Sequence, residues 1–372
     1  MTPNSLFFVV NVDWFFLSHR LPLALAAQEK GAEVTIVTAN TGRFDELAEY
    51  GFKTIEVPFE RSGTNVIKEL KVLFTLIRIY KKHKPDILHH VALKASAYGS
   101  VAARIAGAPL VVNALSGLGY LFTASRKSFA QRSVLWLMGW GFRFKNNRFI
   151  FQNPDDFELL EDLNFVNKNN SAIIKGSGID LNDFLFTPPV TKDKLQIVLP
   201  ARMLKDKGVV EFINAAKLAK EQLHGRCEWL LCGGTDKENP TGLSANEVKE
   251  MLDGDYIQWL GHKKDMKDVF IHSDIVVLPS YREGLPKALI EACAIGRPIV
   301  TTDTPGCREC VEDGVNGFLV PVKDYELLAK RVTQLILDEP LRLEFGKKSR
   351  SLAEKEFSIQ KVVDKTLTLY KQ

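Results

Sequence analysis

The 372-residue chain has no run of the ~18 apolar residues that a bilayer-spanning helix requires, so no segment of it reads as a transmembrane span. Cysteine is scarce. Five, irregularly spaced, exclude a disulfide framework and fit a reducing, cytoplasmic setting. The opening MTPNSLFFVVNVDWFF has neither a basic leader nor a small-residue cleavage site, and reads as a first strand rather than a signal peptide. Two motifs are incomplete. SGLGYLF holds Gly117 and Gly119, but Phe122 stands where a dinucleotide fingerprint needs its third glycine, which argues against nicotinamide or flavin. Cys307 and Cys310 form a C-x-x-C with no second pair at zinc spacing, so no metal is expected. Acids are missing altogether from RKSFAQRSVLWLMGWGFRFKNNR, residues 126–148, which carries six Lys or Arg.

What is present suits a soluble α/β protein. At 45% hydrophobic and 25% charged, the composition is that of ordinary globular domains, and the length exceeds one core. The formal net charge of +4 sits wholly in the first half: residues 1–190 hold 21 basic against 17 acidic residues, the remainder 28 against 28. Apolar, β-branched runs such as LFFVVNV (6–12), EVTIVTA (33–39), DILHHVA (86–92), QIVLPAR (196–202) and DIVVLPS (274–280) alternate with helix-length amphipathic stretches. Continuous apolar strands separated by helices imply parallel sheets covered on both faces. The proline pair in FLFTPPVTKDKLQ (184–196) marks a linker. The expectation is therefore two doubly wound domains, 1–188 and 189–356, with a closing helix at 357–372 that packs back towards the first. Ligands of such folds sit beyond the carboxyl ends of the strands, which points to the cleft between the domains.

Two stretches of the second half carry chemistry. In REGLPKALIEACAIG (282–296), Pro286 suits the first position of a helix, which leaves Glu283 in the preceding loop and Glu291 inside the helix. The free N–H groups of the first turn then form an anion site flanked by two carboxylates, each able to accept hydrogen bonds from sugar hydroxyls. In PARMLKDKGVV (200–210), Arg202 ends a strand, Lys207 follows five residues later, and Gly208 permits a close turn. Two cations at a strand-to-helix corner match the needs of a diphosphate leaving group.

Together these segments, with PGCRECVEDGVNGFLVP (305–321) and IQWLGHKKDM (257–266), resemble the signatures of GT-B-fold retaining glycosyltransferases of family 4. The resemblance implies that Glu283 contacts the transferred sugar and Glu291 the ribose. It also implies that Arg202 and Lys207 bind the phosphates, that backbone at Gly284 and Leu285 approaches the donor, and that the Gly261–His262 loop meets the base. Departure of the diphosphate leaves an oxocarbenium-like centre, which Arg202, Lys207 and the helix N-terminus would serve electrostatically. In the family picture a donor phosphate oxygen takes the acceptor proton, and no metal is needed. Asp13 is the one side-chain candidate for a general base.

The first half departs from the family pattern, with Val12-Asp13 in place of a glycine pair after the first strand. FFLSHRLPLALAA, ALSGLGYLF and HHVALKASAYG resemble transferases of bacterial surface-polysaccharide and lipid-linked oligosaccharide assembly, which extend a saccharide on undecaprenyl diphosphate. Asp13, His19, His90, Lys94 and Ser116 are the acceptor-binding candidates. The 126–148 segment, with Trp136 and Trp140 among Arg126, Lys127, Arg143 and Lys145, suits a helix lying on an anionic inner leaflet. Nucleic acid is the poorer partner, since no motif for it is present. The expectation is a peripheral, cytoplasmic enzyme that moves a hexose or N-acetylhexosamine from a UDP-sugar to a polyprenyl-diphosphate saccharide. A sugar-nucleotide epimerase of the same fold and a non-catalytic two-lobed sugar-binding protein are the alternatives.

Overall fold

The structure is a computed structural model that describes residues 4–59, 66–118, 129–190 and 192–371. It divides into two compact units, one running to Gly178 and resuming at Ile359, the other spanning Ile179–Ser358.

The first unit is built on a seven-stranded parallel sheet of order β3-β2-β1-β4-β5-β6-β7. Its strands are β1 (Ser5–Val12), β2 (Glu33–Ala39), β3 (Lys53–Glu56), β4 (Ile87–Val91), β5 (Leu110–Leu115), β6 (Asn147–Phe151) and β7 (Ser171–Ile173). Leu6, Phe7, Phe8, Val9 and Val10 are all at most 4% exposed, so β1 is buried on both faces and reads as a continuous apolar run. One face is covered by α1 (Asp13–His19) and α2 (Leu21–Glu29), with α3 (Phe44–Glu49) beside β3. The other face carries α4 (Val66–His83), α5 (Ala92–Ala106) and α6 (Phe129–Phe142), with α5 packed between its neighbours. Pro154–Asp162 forms α7, which Asn153 caps by accepting a hydrogen bond from Asp156 N at 2.8 Å.

The second unit holds a six-stranded parallel sheet, β10-β9-β8-β11-β12-β13. These strands are β8 (Leu195–Pro200), β9 (Cys227–Cys232), β10 (Ile257–Trp259), β11 (Ile275–Leu278), β12 (Ile299–Thr302) and β13 (Gly317–Val320). Its helices are α8 (Val209–Leu223), α9 (Ala245–Met251), α10 (Met266–His272), α11 (Lys287–Ile295), α12 (Tyr325–Leu337) and α13 (Glu339–Leu352).

Residues 184–190, which the prolines mark as a linker, run along the second unit. Phe184 packs on its core, Thr187 N donates to Ile295 O at 3.1 Å, and Arg297 Nη1 donates to Thr187 O at 2.8 Å. The last helix, α14 (Ile359–Leu369), returns to the first unit, where Val362, Val363, Leu367 and Tyr370 join the core that includes Leu23, Ala24 and Ala27 of α2.

Candidate functional site

Beyond the carboxyl end of β8 the chain passes Arg202 and makes one 3-10 turn, Lys205–Lys207, before α8. Gly208 closes that turn at φ +74°, and a Cβ there would lie 2.2 Å from Pro279 O. Glycine is therefore required both for the backbone angle and for the contact. The contact seats the turn against the loop after β11. Tyr281 N and Ser280 Oγ both donate to Asp206 O, at 2.9 and 3.0 Å. This places Lys207 Nζ on the Glu283 carboxylate, which also accepts from Ser280 Oγ at 2.8 Å. Arg202 Nη1 is ion-paired with Asp236, whose side chain is 8% exposed against 43% for Arg202. Both cations are thus held in position by carboxylates, and the Arg202 fork still reaches solvent.

Helix α11 begins at Lys287, with Pro286 as its N-cap residue rather than its first helical residue. The correction is one position, and Glu283 stays in the loop with Glu291 in the second turn. Glu291 is 8% exposed. Burial pushes its carboxyl above the usual range, and Lys287 Nζ at 3.5 Å opposes the shift only in part. Gly284 and Leu285 are buried. A Cβ on Gly306 would meet Gly284 O at 2.4 Å, and Glu283 N donates to Pro305 O at 3.2 Å, so the 303–308 loop clamps the backbone between the two acids. Gly261, at φ +70°, accepts from Gly233 N at 2.9 Å, and the neighbouring His262 is exposed. Cys307 and Cys310 are buried thiols, with burial pushing Cys307 up to about 11. Among the described residues no three His, Cys, Asp or Glu side chains cluster for a metal. The sequence has an Asp-x-Asp triplet at Asp253–Asp255, where Asp253 is paired with Lys220 at 2.7 Å.

Arg202, Lys207 and Glu283 therefore lie on the segments that follow β8 and β11 at the carboxyl edge of a parallel sheet, with Glu291 in the helix that comes next. Known proteins identify the family. Residues 183–352 match the family described as glycosyl transferases group 1, and residues 5–153 match glycosyl transferase 4-like. A relative from Campylobacter jejuni, N,N'-diacetylbacillosaminyl-diphospho-undecaprenol alpha-1,3-N-acetylgalactosaminyltransferase, is 31% identical over 354 residues, 89% of this chain and 91% of that protein. The chain belongs to the group 1, GT4-like glycosyltransferases. A second relative of this transferase is the Escherichia coli UDP-Gal:alpha-D-GlcNAc-diphosphoundecaprenol alpha-1,3-galactosyltransferase, 25% identical over 91% of this chain and 88% of that protein. Among solved structures, a glycosyltransferase from Rickettsia africae superposes with TM-score 0.77 at 20% identity, covering 100% of this chain and 98% of that one. The Anabaena Alr3699/HepE complex with UDP gives 0.78 at 16% identity, covering 99% and 100%. These likenesses establish the GT-B fold.

In the transferase's first unit, the acceptor candidates divide. Asp13 is fully buried. Its Oδ2 accepts from Thr41 N at 2.7 Å and Arg43 N at 3.2 Å, and its Oδ1 from Trp14 N at 2.7 Å and from the Thr41 hydroxyl. It braces the loop after β2 and has no oxygen to offer as a base, which corrects the expectation. His90 is also corrected. It is 0% exposed, with Nε2 on Tyr80 Oη at 3.0 Å and Nδ1 on Asn113 Oδ1 at 2.8 Å, and burial lowers it to about 4. His89 and His90 point to opposite faces, and both are buried because helices cover both faces of the sheet. Lys94 is committed to Glu69 of α4 at 2.7 Å. Half-buried His19 stacks on Phe15 at 4.0 Å, and Ser116 is half-buried just past β5.

Arg126 and Lys127 lie outside the described residues. Helix α6 is a partly buried core helix: Met138 and Phe142 are inside, and Trp140 lies under Arg104 at 4.3 Å. Arg143 sits over Phe165 at 5.5 Å, Lys145 is exposed, and Trp136 is 72% exposed. The sequence reading passed over α4. Ile67, Leu70 and Phe74 stand outward on it at 79%, 45% and 65% exposure, surrounded by exposed Lys68, Lys71, Arg78, Lys81 and Lys82. The signal was available in VIKELKVLFTLIRIYKKH, whose single acid, Glu69, is drawn inward to Lys94.

Among the described residues no helix is long and apolar enough to cross a membrane.

Proposed function

We propose that this transferase moves a hexose or N-acetylhexosamine, with retention, from a UDP-sugar to a saccharide carried on polyprenyl diphosphate. It would work as a peripheral enzyme on the cytoplasmic face of a bacterial inner membrane. The observation that carries the donor half is the corner formed by Arg202, Lys207, Glu283 and Glu291 at the carboxyl edge of the second sheet. The acceptor half rests on the C. jejuni and E. coli relatives, whose names specify diphosphoundecaprenol-linked sugars.

In this reading the second unit binds the donor and the first the acceptor. The bond between the anomeric carbon and the diphosphate oxygen breaks, and the electron pair leaves with UDP. Arg202 and Lys207 exchange their carboxylate partners for the departing phosphates, and the amide groups at the start of α11 add their dipoles. Glu283 and Glu291 accept hydroxyls of the transferred sugar and the ribose, while the Gly261–His262 loop lies near the base. The acceptor hydroxyl attacks the same face, and its proton passes to a donor phosphate oxygen. With Asp13 fully hydrogen-bonded, this route needs no protein base. No metal takes part.

The outward face of α4 supports contact with an anionic leaflet: three exposed apolar side chains are ringed by five cations. Trp136 adds a fourth apolar group on the same helix layer. A panel of nucleotide sugars tested against short polyprenyl-diphosphate saccharides, read by mass, decides the activity. UDP formed only when acceptor is present, with one hexosyl or N-acetylhexosaminyl mass added, is the expected result. UDP formed without acceptor, or no product from any pair, refutes it.

A further inference from the structure

Arg20 joins α1 to α2 and is 6% exposed, yet among the described residues it makes no ion pair. Among the described residues its guanidinium makes one hydrogen bond, Nη1 to His19 O at 3.1 Å, and its Nε is buried without a partner. A guanidinium has five donors, and a cation taken out of water without a counter-charge is costly. Burial lowers Arg20 to about 10, so it stays charged at neutral pH, and no carboxylate opposes the shift.

His89 faces the same place. Its Nδ1 lies 2.7 Å from Tyr370 Oη of the closing segment, while its Nε2 is buried and has no partner among the described residues. When the tyrosine hydroxyl donates to Nδ1, the imidazole is neutral and its proton sits on Nε2. Burial and the nearby Arg20 favour that neutral form. Beside Arg20 and His89 is a cavity of about 10 Å³, whose other walls are His19, Gly176, Ser177 and Thr366 together with aliphatic side chains such as Ile150, Ile174 and Val362. That volume admits one oxygen-sized atom. Of its lining residues, Arg20 and Ser177 are 6% and 8% exposed. Arg20 follows β1 and α1, and Gly176–Ser177 follows β7, so the cavity lies towards the carboxyl edge of the first sheet, where doubly wound folds take ligands.

We propose that this cavity is an anion slot in which Arg20 and His89 Nε2–H hold one non-bridging oxygen of a phosphoryl group, that of the diphosphate-linked acceptor. The inference rests on the acceptor class given above and names residues that fix it. Arg20 supplies the charge and a fork suited to phosphate, His89 a neutral donor, and Tyr370 the tautomer. The role is binding and orientation of the acceptor's diphosphate, not bond-making.

The test separates this slot from the donor corner. The full-length enzyme is saturated with UDP and then titrated with inorganic pyrophosphate, followed by thermal shift and calorimetry. A second, UDP-independent pyrophosphate site is expected, weakened at least tenfold in Arg20→Gln and less in Arg20→Lys. UDP affinity should be unchanged in both. The KM for a short polyprenyl-diphosphate saccharide should rise about tenfold or more in Arg20→Gln with kcat within threefold. Tyr370→Phe leaves Arg20 in place and should show a smaller rise, which keeps the test open if Arg20→Gln does not fold. Absence of a second pyrophosphate site in the UDP-saturated wild-type enzyme overturns the slot, as does an unchanged acceptor KM in the Arg20 variants. Either result leaves the donor and acceptor panel free to succeed. Failure of that panel with a retained second site would instead reject the acceptor class.

Discussion

Lys207 and Glu283 are ion-paired across two loops, the ammonium coming from the turn after β8 and the carboxylate from the segment after β11. Their side chains are 22% and 12% exposed, so neither charge is well solvated without the other. Removing the lysine leaves a half-buried carboxylate unpaired, which costs more than the pair contributes. Lys207→Ala should therefore destabilise the unit more than Glu283→Gln. A double-mutant cycle on thermal unfolding should give a coupling of about 0.5–3 kcal/mol. Both single variants should lose transfer by about a hundredfold or more, with UDP affinity falling in Lys207→Ala and changing little in Glu283→Gln. Additive stabilities, or near wild-type turnover in either variant, would remove the pair from the proposed mechanism.

Gly208 makes a sharper steric prediction. Alanine there combines φ +74° with a Cβ 2.2 Å from Pro279 O, and both elements are backbone in a packed corner. The expected cost is about 1–3 kcal/mol, or several degrees in melting temperature. Because the turn carries Lys207, the KM for the donor should rise even at temperatures where the variant is fully folded. Wild-type donor kinetics in a folded Gly208→Ala enzyme would show that the contact does not position Lys207.

The sheets were legible in the sequence because strands buried on both faces must be apolar throughout. LFFVVNV and DIVVLPS could be read directly as β1 and β11. The residues proposed to bind the donor could be picked out because they lie within two short segments next to strand ends. The partners that hold it were not. Asp236 lies 34 residues from Arg202, and nothing local links the two. Asp13 misled for a related reason: a carboxylate beyond a first strand looks available until Thr41 and Arg43 are found on it. Arg20, His89 and Tyr370 meet through a span of 281 residues between the last two, and only the fold unites them.

Glu291 should leave a signature in the pH dependence of stability. Its carboxyl titrates above the unfolded value because burial disfavours the charged form, so the folded state binds the proton more tightly than the unfolded chain does. The stabilising contribution is full below the unfolded value near 4.5 and is lost as pH rises through the raised folded value. Glu291→Gln removes the titration. The melting temperature of the variant minus that of the wild type should thus rise with pH across this window and be flat below it. UDP affinity in the variant should fall about tenfold, since a charged acceptor for hydroxyls is lost. A difference that is constant or falls with pH would contradict the burial argument.

In the proposed reading, the outer face of α4 is the surface that meets lipid. Ile67, Leu70 and Phe74 recur at helical spacing on the outward side, and the five cations around them leave no exposed acid on the described helix. An apolar stripe alone would suit any partner, but an all-cationic rim selects an anionic surface. Burying one large apolar side chain contributes about 1.5–3 kcal/mol, so Phe74→Glu should cut partitioning onto phosphatidylglycerol-rich vesicles at least tenfold. Leu70→Glu should cut it less, in line with its lower exposure. Binding should weaken as salt rises, and phosphatidylcholine vesicles should retain little protein. Because α4 is remote in sequence from the donor corner, both variants should keep wild-type UDP affinity. Equal binding to neutral vesicles would reject the electrostatic part of the argument. Loss of binding in Trp136→Glu with none in Phe74→Glu would move the contact from α4 to α6.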